Sequence, residues 1–193
     1  MITVIDYGVG NIKSVQKAFT KMGIKSIIST ESQKIEEATK LVLPGVGNFG
    51  DVMQELRKLG FDKILITKIQ EETPFLGICV GMQILFETSS EAEGINGLGI
   101  FRGRVQKFTQ GKIPHIGWNE IIPRKSRVLK KGYVYFANSF YVVPKDDSII
   151  SAETDYFVRF PSAIEKDKIT AFQFHPEKSG IFGLNILKRW AKC

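Results

Sequence analysis

Cysteine is scarce: Cys79 and Cys193 are the only two in 193 residues, too few for a disulfide-held secreted scaffold. Histidine is equally scarce, and neither His115 nor His175 has a second ligand type at metal-binding spacing, so no metal is expected. Long apolar runs are missing as well. The longest uncharged one, residues 74–86, is broken by glycines and Gln83 and falls short of the ~20 residues of a membrane helix. The opening Met-Ile-Thr-Val-Ile-Asp has no basic segment and no small-residue cleavage site, so no secretory signal is expected. No Pro-, Gly- or Ser-rich linker, repeat or low-complexity tract divides the chain. These absences point to one soluble domain, residues 1–193, with the cytoplasm as its expected compartment.

What is present is ordinary globular composition, 43% hydrophobic and 24% charged. At this length roughly 70% of the unfolded chain's surface is buried on folding, so the core needs no covalent staple. The net charge of +7 is unevenly placed. Residues 102–131 hold nine basic residues against one acid, Glu120, which accounts for the whole excess. Lys13, Lys17, Lys21 and Lys25 recur every four residues and form a helical stripe. Neither group is interleaved with aromatic residues as a base-stacking platform requires, so nucleic acid is not an expected partner. Solvated surface is the reading preferred for both. Docking to an acidic protein surface, or steering of a phosphorylated substrate, stays open.

The hydrophobic pattern alternates strand and helix in the first half. Strands are expected at 2–6, 24–28, 41–43 and 74–78, and helices at 12–22, 32–39, 49–59, 61–72 and 80–87. Gly23 stands where a C-cap glycine belongs. From residue 99 to 174 short β-rich runs take over, at 104–108, 118–122, 133–136, 140–143, 149–152, 162–165 and 169–174, before a closing helix at 180–191. The fold class is therefore α/β: a mostly parallel sheet with helices on both faces, plus an added antiparallel portion.

One segment carries the sharpest chemical signal. Gly77-Ile78-Cys79-Val80-Gly81 follows an apolar strand and opens a helix, the arrangement of a nucleophile elbow with cysteine in the serine position. The glycines permit the tight turn, the positive helix end favours a thiolate, and the Val80 N–H is placed to stabilise an oxyanion. A thiolate nucleophile needs a base. His175 sits at the end of a strand that Pro176 cannot continue, and Glu177 two residues on lies on the same side, able to accept the imidazole N–H. His115 has no polar neighbour before Asn119 and is assigned to packing or an interface. Gly8-Val9-Gly10 fails as a dinucleotide loop because Lys13 occupies the third glycine position. Pro44-Gly45-Val46-Gly47, after a parallel strand, could supply a second oxyanion N–H.

Gly77 to Gln83 followed by Phe174-His175-Pro176-Glu177 resembles the class I (triad) glutamine amidotransferases, whose flavodoxin-like fold is then expected. Asp6 to Asn11, Pro44 to Gly50, His115 to Asn119 and Phe172 to Ser179 are similar to the glutaminase subunits of imidazole glycerol phosphate synthase within that family. The resemblance runs from the first strand to the last helix. It implies that Cys79 attacks the carboxamide of L-glutamine, that His175 protonates the departing ammonia and then activates water, and that Glu177 orients His175. It also implies a glutamine pocket at Gln83, Glu91, Asn138, Ser139 and Phe140, and an oxyanion loop at Gly45-Val46-Gly47 with Val46 and Val80 as donors. Further implications are a (βα)8-barrel cyclase partner in a heterodimer, an interface that uses Trp118, Asn119 and Lys178, and no cofactor. The activity so implied belongs to histidine biosynthesis: ammonia passes to the cyclase, which forms imidazole glycerol phosphate and an aminoimidazole carboxamide ribotide. One departure stands out. The family's usual Tyr-Phe-Val-His-Ser-Tyr is here Tyr135-Phe136-Ala137-Asn138-Ser139-Phe140, which keeps a second acceptor open: a sugar amidated for surface polysaccharide.

Overall fold

The computed structural model describes residues 1–9 and 12–193. The rejected dinucleotide loop and the motif from Asp6 to Asn11 therefore fall partly outside the described residues, at Gly10 and Asn11. The first half runs β1 (Ile2–Ile5), α1 (Ile12–Lys21), β2 (Ser26–Ser29), α2 (Ser32–Glu36), β3 (Lys40–Gly45), α3 (Phe49–Lys58), α4 (Phe61–Gln70) and β4 (Phe75–Cys79). After the short α5 (Val80–Gln83) come β5 (Phe86–Ser89), β6 (Phe101–Lys107), β7 (His115–Pro123), β8 (Gly132–Asn138), β9 (Phe140–Pro144), β10 (Ile150–Tyr156), β11 (Val158–Lys166) and β12 (Ile169–Phe172), and α6 (Gly180–Lys192) closes the chain.

Nine strands form one sheet in the order β2-β1-β3-β4-β12-β11-β10-β7-β8. The run from β2 to β12 is parallel, and from β12 to β8 every pairing is antiparallel, so the antiparallel portion is as wide as the parallel one. The chain steps from β1 outward to β2 and then back past β1 to β3. Right-handed crossovers then place α1 and α2 on opposite faces, and the carboxyl ends of β1 and β3 flank a switch point. α1 packs on α6, while α4 packs on α2 and α3. On α1 the buried Ile12, Val15, Ala18 and Phe19 fall on one stripe, and Lys13, Lys17 and Lys21 lie exposed opposite it. Asn48 caps α3, its Oδ1 accepting the Asp51 N–H at 2.8 Å.

β4 is buried along its whole length, with Phe75, Leu76 and Ile78 at 0–1% exposure. Each such side chain is worth roughly 1.5–3 kcal/mol, so the strand that ends in Cys79 is firmly held. The helix expected at 80–87 stops at Gln83, because Phe86 to Ser89 pair with β6 instead and join β9 in a second, three-stranded sheet. A short apolar run such as residues 84–86 does not distinguish buried helix from buried strand, and here the β6 edge decides. α2 also ends early, at Glu36, and β2 begins two residues late, at Ser26. Within the basic stretch, Arg124 pairs with Glu153, Arg127 with Glu165 and Lys131 with Glu120, at 2.6, 3.2 and 3.4 Å. Part of the excess charge is thus neutralised locally. Among the described residues no helix is long and apolar enough to cross a membrane.

Candidate active site

Three parallel strands bring the site together. Gly45 at the end of β3 lies beside Cys79 at the end of β4, and on the other side Phe172 of β12 lies beside Ile78. Cys79 has φ 54° and ψ −112°, a left-handed conformation that costs a residue with a Cβ of order 1–3 kcal/mol. The surrounding backbone imposes it. A methyl group on Gly77 would run into the Gly81 carbonyl, one on Gly81 into the Leu43 carbonyl, and one on Gly45 into the Gly81 amide. The expected elbow is formed, and its glycines are required by close approach as well as by the turn. Cys79 is 5% exposed.

His175 enters from beyond β12. Its N–H donates to the Tyr135 carbonyl at 2.9 Å, and its own carbonyl accepts the Ser179 Oγ–H at 2.6 Å. Pro176 opens a single 3-10 turn over residues 176–178, which folds Glu177 back under the ring. Nδ1 of His175 lies 2.9 Å from Glu177 Oε1, with the two side chains 3% and 4% exposed. Burial opposes a charge on the imidazole. Hydrogen bonds to the Cys79 sulfur and to Glu177, reinforced by their charges, outweigh it and raise the His175 pKa to about 10. The ring is therefore an imidazolium at neutral pH, between a sulfur and a carboxylate.

A cavity of about 130 Å³ opens beside the thiol. Gly47, Val80, Gln83, Glu91, Asn138, Ser139 and Phe140 all contribute to its wall, so the residues expected to bind glutamine are brought together around Cys79. The Phe140 carbonyl is pinned twice, accepting Asn138 Nδ2–H at 2.9 Å and Gln83 Nε2–H at 3.2 Å. Asn138, the departure from the family pattern, thus serves to shape the turn at residues 138–140. Glu91 accepts the Phe49 N–H at 2.8 Å, and burial raises its carboxyl pKa despite that bond. A roomier groove of about 460 Å³ near Lys125, Arg127 and Lys166 is lined by no cysteine and no histidine, so size alone does not locate the chemistry.

Of the loop expected to supply an oxyanion donor, Gly47 borders the cavity and Val46 does not. Beside Val46, the Tyr7 hydroxyl donates to the Pro44 carbonyl at 2.9 Å. Tyr7, buried just past β1, thereby ties this loop to the first strand. Burial, together with the nearby Cys79 and Asp6, holds the Tyr7 phenol well above its usual pKa, so it keeps the proton it donates. Tyr7 was present in the sequence as part of a motif but gave no sign of this contact.

The residues expected at an interface lie apart from the cavity. Trp118 is 56% exposed and meets Tyr135 edge to face, ring centroids 6.2 Å apart. Lys178 Nζ stands 6.0 Å over the Tyr135 ring, and Asn119 Nδ2 donates to the Asp155 carbonyl at 3.0 Å. Ile116, Tyr133 and Ile181 are exposed too, a large apolar commitment for one end of a sheet. His115 is buried, stacked on Tyr156 at 3.8 Å, and burial lowers its pKa to about 4, as suits a neutral packing residue.

A family model described as glutamine amidotransferase class-I matches residues 3–191. Curated relatives named imidazole glycerol phosphate synthase subunit HisH include one from Geobacter metallireducens, 44% identical over 98% of this chain and 97% of the relative. Those of Methanothermobacter thermautotrophicus and Methanocaldococcus jannaschii are 44% and 46% identical, each covering all of this chain and 98% and 99% of the relative. Among solved structures, one described as a glutamine amidotransferase superposes with TM-score 0.80 at 16% identity, over 99% of this chain and 100% of the other. A chain of PurLQS from Thermotoga maritima also gives TM-score 0.80, at 18% identity, with 99% and 97% covered.

Proposed function

The chain belongs to the class I glutamine amidotransferases, and from that premise we propose that Cys79, His175 and Glu177 hydrolyse L-glutamine to glutamate and ammonia. The protein is the glutaminase subunit of imidazole glycerol phosphate synthase, an enzyme of histidine biosynthesis. One observation carries the catalytic reading: a buried histidine, held 2.9 Å from a carboxylate and with its pKa raised by the Cys79 sulfur and by that carboxylate, stands beside the thiol that borders the cavity.

The steps follow from that geometry. The Cys79 thiolate attacks the side-chain carbonyl carbon of glutamine, and the Val80 N–H stabilises the oxyanion. The C–N bond breaks as the His175 imidazolium gives its proton to the nitrogen, which leaves as ammonia. His175, now neutral, takes a proton from water as the water attacks the thioester, and the C–S bond breaks to regenerate thiolate and imidazolium. Glu177 fixes the ring through Nδ1 and compensates its charge. Glu91, Gln83 and the turn at residues 138–140 hold the amino-acid end of the substrate. Val46, off the cavity wall, joins the oxyanion hole only after its loop rearranges.

The partner is a (βα)8-barrel cyclase, with the heterodimer in the cytoplasm. Trp118, Asn119, Lys178 and the neighbouring Ile116 and Ile181 form the docking face. The β8 bridge between Tyr135 and His175 connects that face to the triad, which supports delivery of ammonia across it. Ammonia released into water would protonate, and ammonium is no nucleophile, so a sealed transfer is chemically required. The relatives' common name favours the histidine-pathway acceptor over an amidated sugar. The test is glutamate release by the purified chain, alone and with the cyclase and its ribonucleotide substrate. Strong activation with imidazole glycerol phosphate formed is expected, and loss of at least ~10³-fold in Cys79→Ala. Turnover retained by Cys79→Ala would remove that residue from its role.

A further inference from the structure

Gln173 has no part in the mechanism above, yet it is fully buried against the nucleophile. The parallel register that sets Phe172 beside Ile78 carries Gln173 alongside Cys79, one residue past the ladder's end. Its Nε2 lies 3.6 Å from Cys79 Sγ, within reach of an N–H···S bond, and its Oε1 accepts the Gln83 Nε2–H at 3.0 Å. Gln83 spends its second amide proton on the Phe140 carbonyl at 3.2 Å. This chain of amides leaves no freedom of orientation. Turning the Gln173 amide over would set two NH₂ groups against each other and a carbonyl oxygen against the sulfur. A donor is thus fixed on the sulfur by Gln83 and the Phe140 carbonyl, while His175 and Tyr7, the titratable groups close enough for Cys79 to act on them, take no part in holding Gln173.

Building on the reading of Cys79 as the nucleophile, we infer that Gln173 is a further catalytic residue, whose side-chain N–H stabilises the Cys79 thiolate. Hydrogen bonds to sulfur gain most when the sulfur is charged. The contact is therefore strong to the thiolate that attacks, weak in the neutral thioester, and strong again as the sulfur leaves on hydrolysis. Gln173 assists the breaking of the C–S bond and returns the nucleophile to its starting position. Through Gln83 the same amide also registers the cavity wall, so the sulfur and the substrate pocket share one hydrogen-bonded chain.

Two variants separate these roles, both in a Cys193→Ser background so that Cys79 is the only thiol. Gln173→Leu removes both polar atoms. Gln173→Glu keeps the shape and the acceptor for Gln83 but replaces the donor with a carboxylate, and it carries the test should the leucine variant not fold. The rate of alkylation by iodoacetamide is followed against pH, alongside kcat and KM for glutamine in the complex with the cyclase. The inference predicts that the pH midpoint of alkylation moves up by about one unit in Gln173→Leu and further in Gln173→Glu. The high-pH plateau should not fall, because a thiolate of higher pKa is intrinsically the better nucleophile. The kcat should drop roughly tenfold with KM moving far less. Midpoints equal to that of the parent, with KM alone altered, would show that Gln173 serves only the pocket and would overturn the inference. A parent that shows no fast-alkylating Cys79 and no glutamine turnover would instead overturn the nucleophile assignment, and this inference with it.

Discussion

In the proposed triad, Glu177 acts on the charge of His175. Its carboxylate is one of the contributions that raise His175 to about 10, and Glu177→Gln removes that contribution while keeping the shape. The imidazolium then gives up its proton at lower pH. A group whose folded pKa is raised contributes stability that is complete below its unfolded value of about 6.5 and is lost as pH rises through the folded value. In Glu177→Gln both that loss and the alkaline limb of glutaminase activity should move to lower pH. The rate at neutral pH should fall roughly 10²-fold, less than in His175→Ala, as pH–rate profiles of the three proteins would record. An unmoved alkaline limb would mean that Glu177 does not act on the ring. At this scale the elbow at Cys79 and the His175–Glu177 pair were legible in the sequence, because Gly77-Ile78-Cys79-Val80-Gly81 and His175-Pro176-Glu177 are each local. Tyr7 and Gln173 were not, because their contacts with Pro44 and Cys79 are made across strands. No spacing along the chain encodes which strand ends stand abreast.

At the scale of elements, the elbow is a place where three backbones meet. β3, β4 and α5 approach so closely that Gly45, Gly77 and Gly81 have no room for a side chain. Gly81→Ala would push α5 off the Leu43 carbonyl at a cost of about 2–3 kcal/mol, which for a chain of this length lowers Tm by roughly 5–10 °C. A thermal melt reads this directly, and a Tm within a degree of the parent would contradict the close approach. The sequence pattern announced the turn but overran the helix by four residues. Residues 84–86 are apolar enough for either state, and pairing with β6 was invisible until the second sheet was known. The β-rich second half was located run by run. That β10 and β11 continue as one long hairpin through Phe157, which sits at φ 56°, was not legible, because a left-handed phenylalanine has no local signature.

For the whole molecule, the proposed function divides the sheet: the parallel half carries the proposed catalytic site and the antiparallel half the proposed docking face beside it. β7 and β8 present Ile116, Trp118 and Tyr133 to solvent, and α6 adds Ile181. These side chains contribute little to the stability of the isolated chain, so Trp118→Ala should leave Tm unchanged. An aromatic anchor of this kind is typically worth 2 kcal/mol or more in an interface, so affinity for the cyclase should fall by roughly 30-fold, as titration calorimetry would show. An unchanged Kd would move the docking face elsewhere. The positive stretch at residues 102–131 is partly neutralised by Glu120, Glu153 and Glu165, as a solvated surface requires.

The most direct measurement is intact and peptide mass spectrometry of the chain after incubation with an electrophilic glutamine analogue, 6-diazo-5-oxo-L-norleucine. The geometry predicts one adduct, on Cys79 and not on the exposed Cys193, with L-glutamine protecting and with no adduct in Cys79→Ala. An adduct on Cys193, or labelling of Cys79 that glutamine does not slow, would contradict the assignment of Cys79 as the nucleophile of a glutamine-binding site.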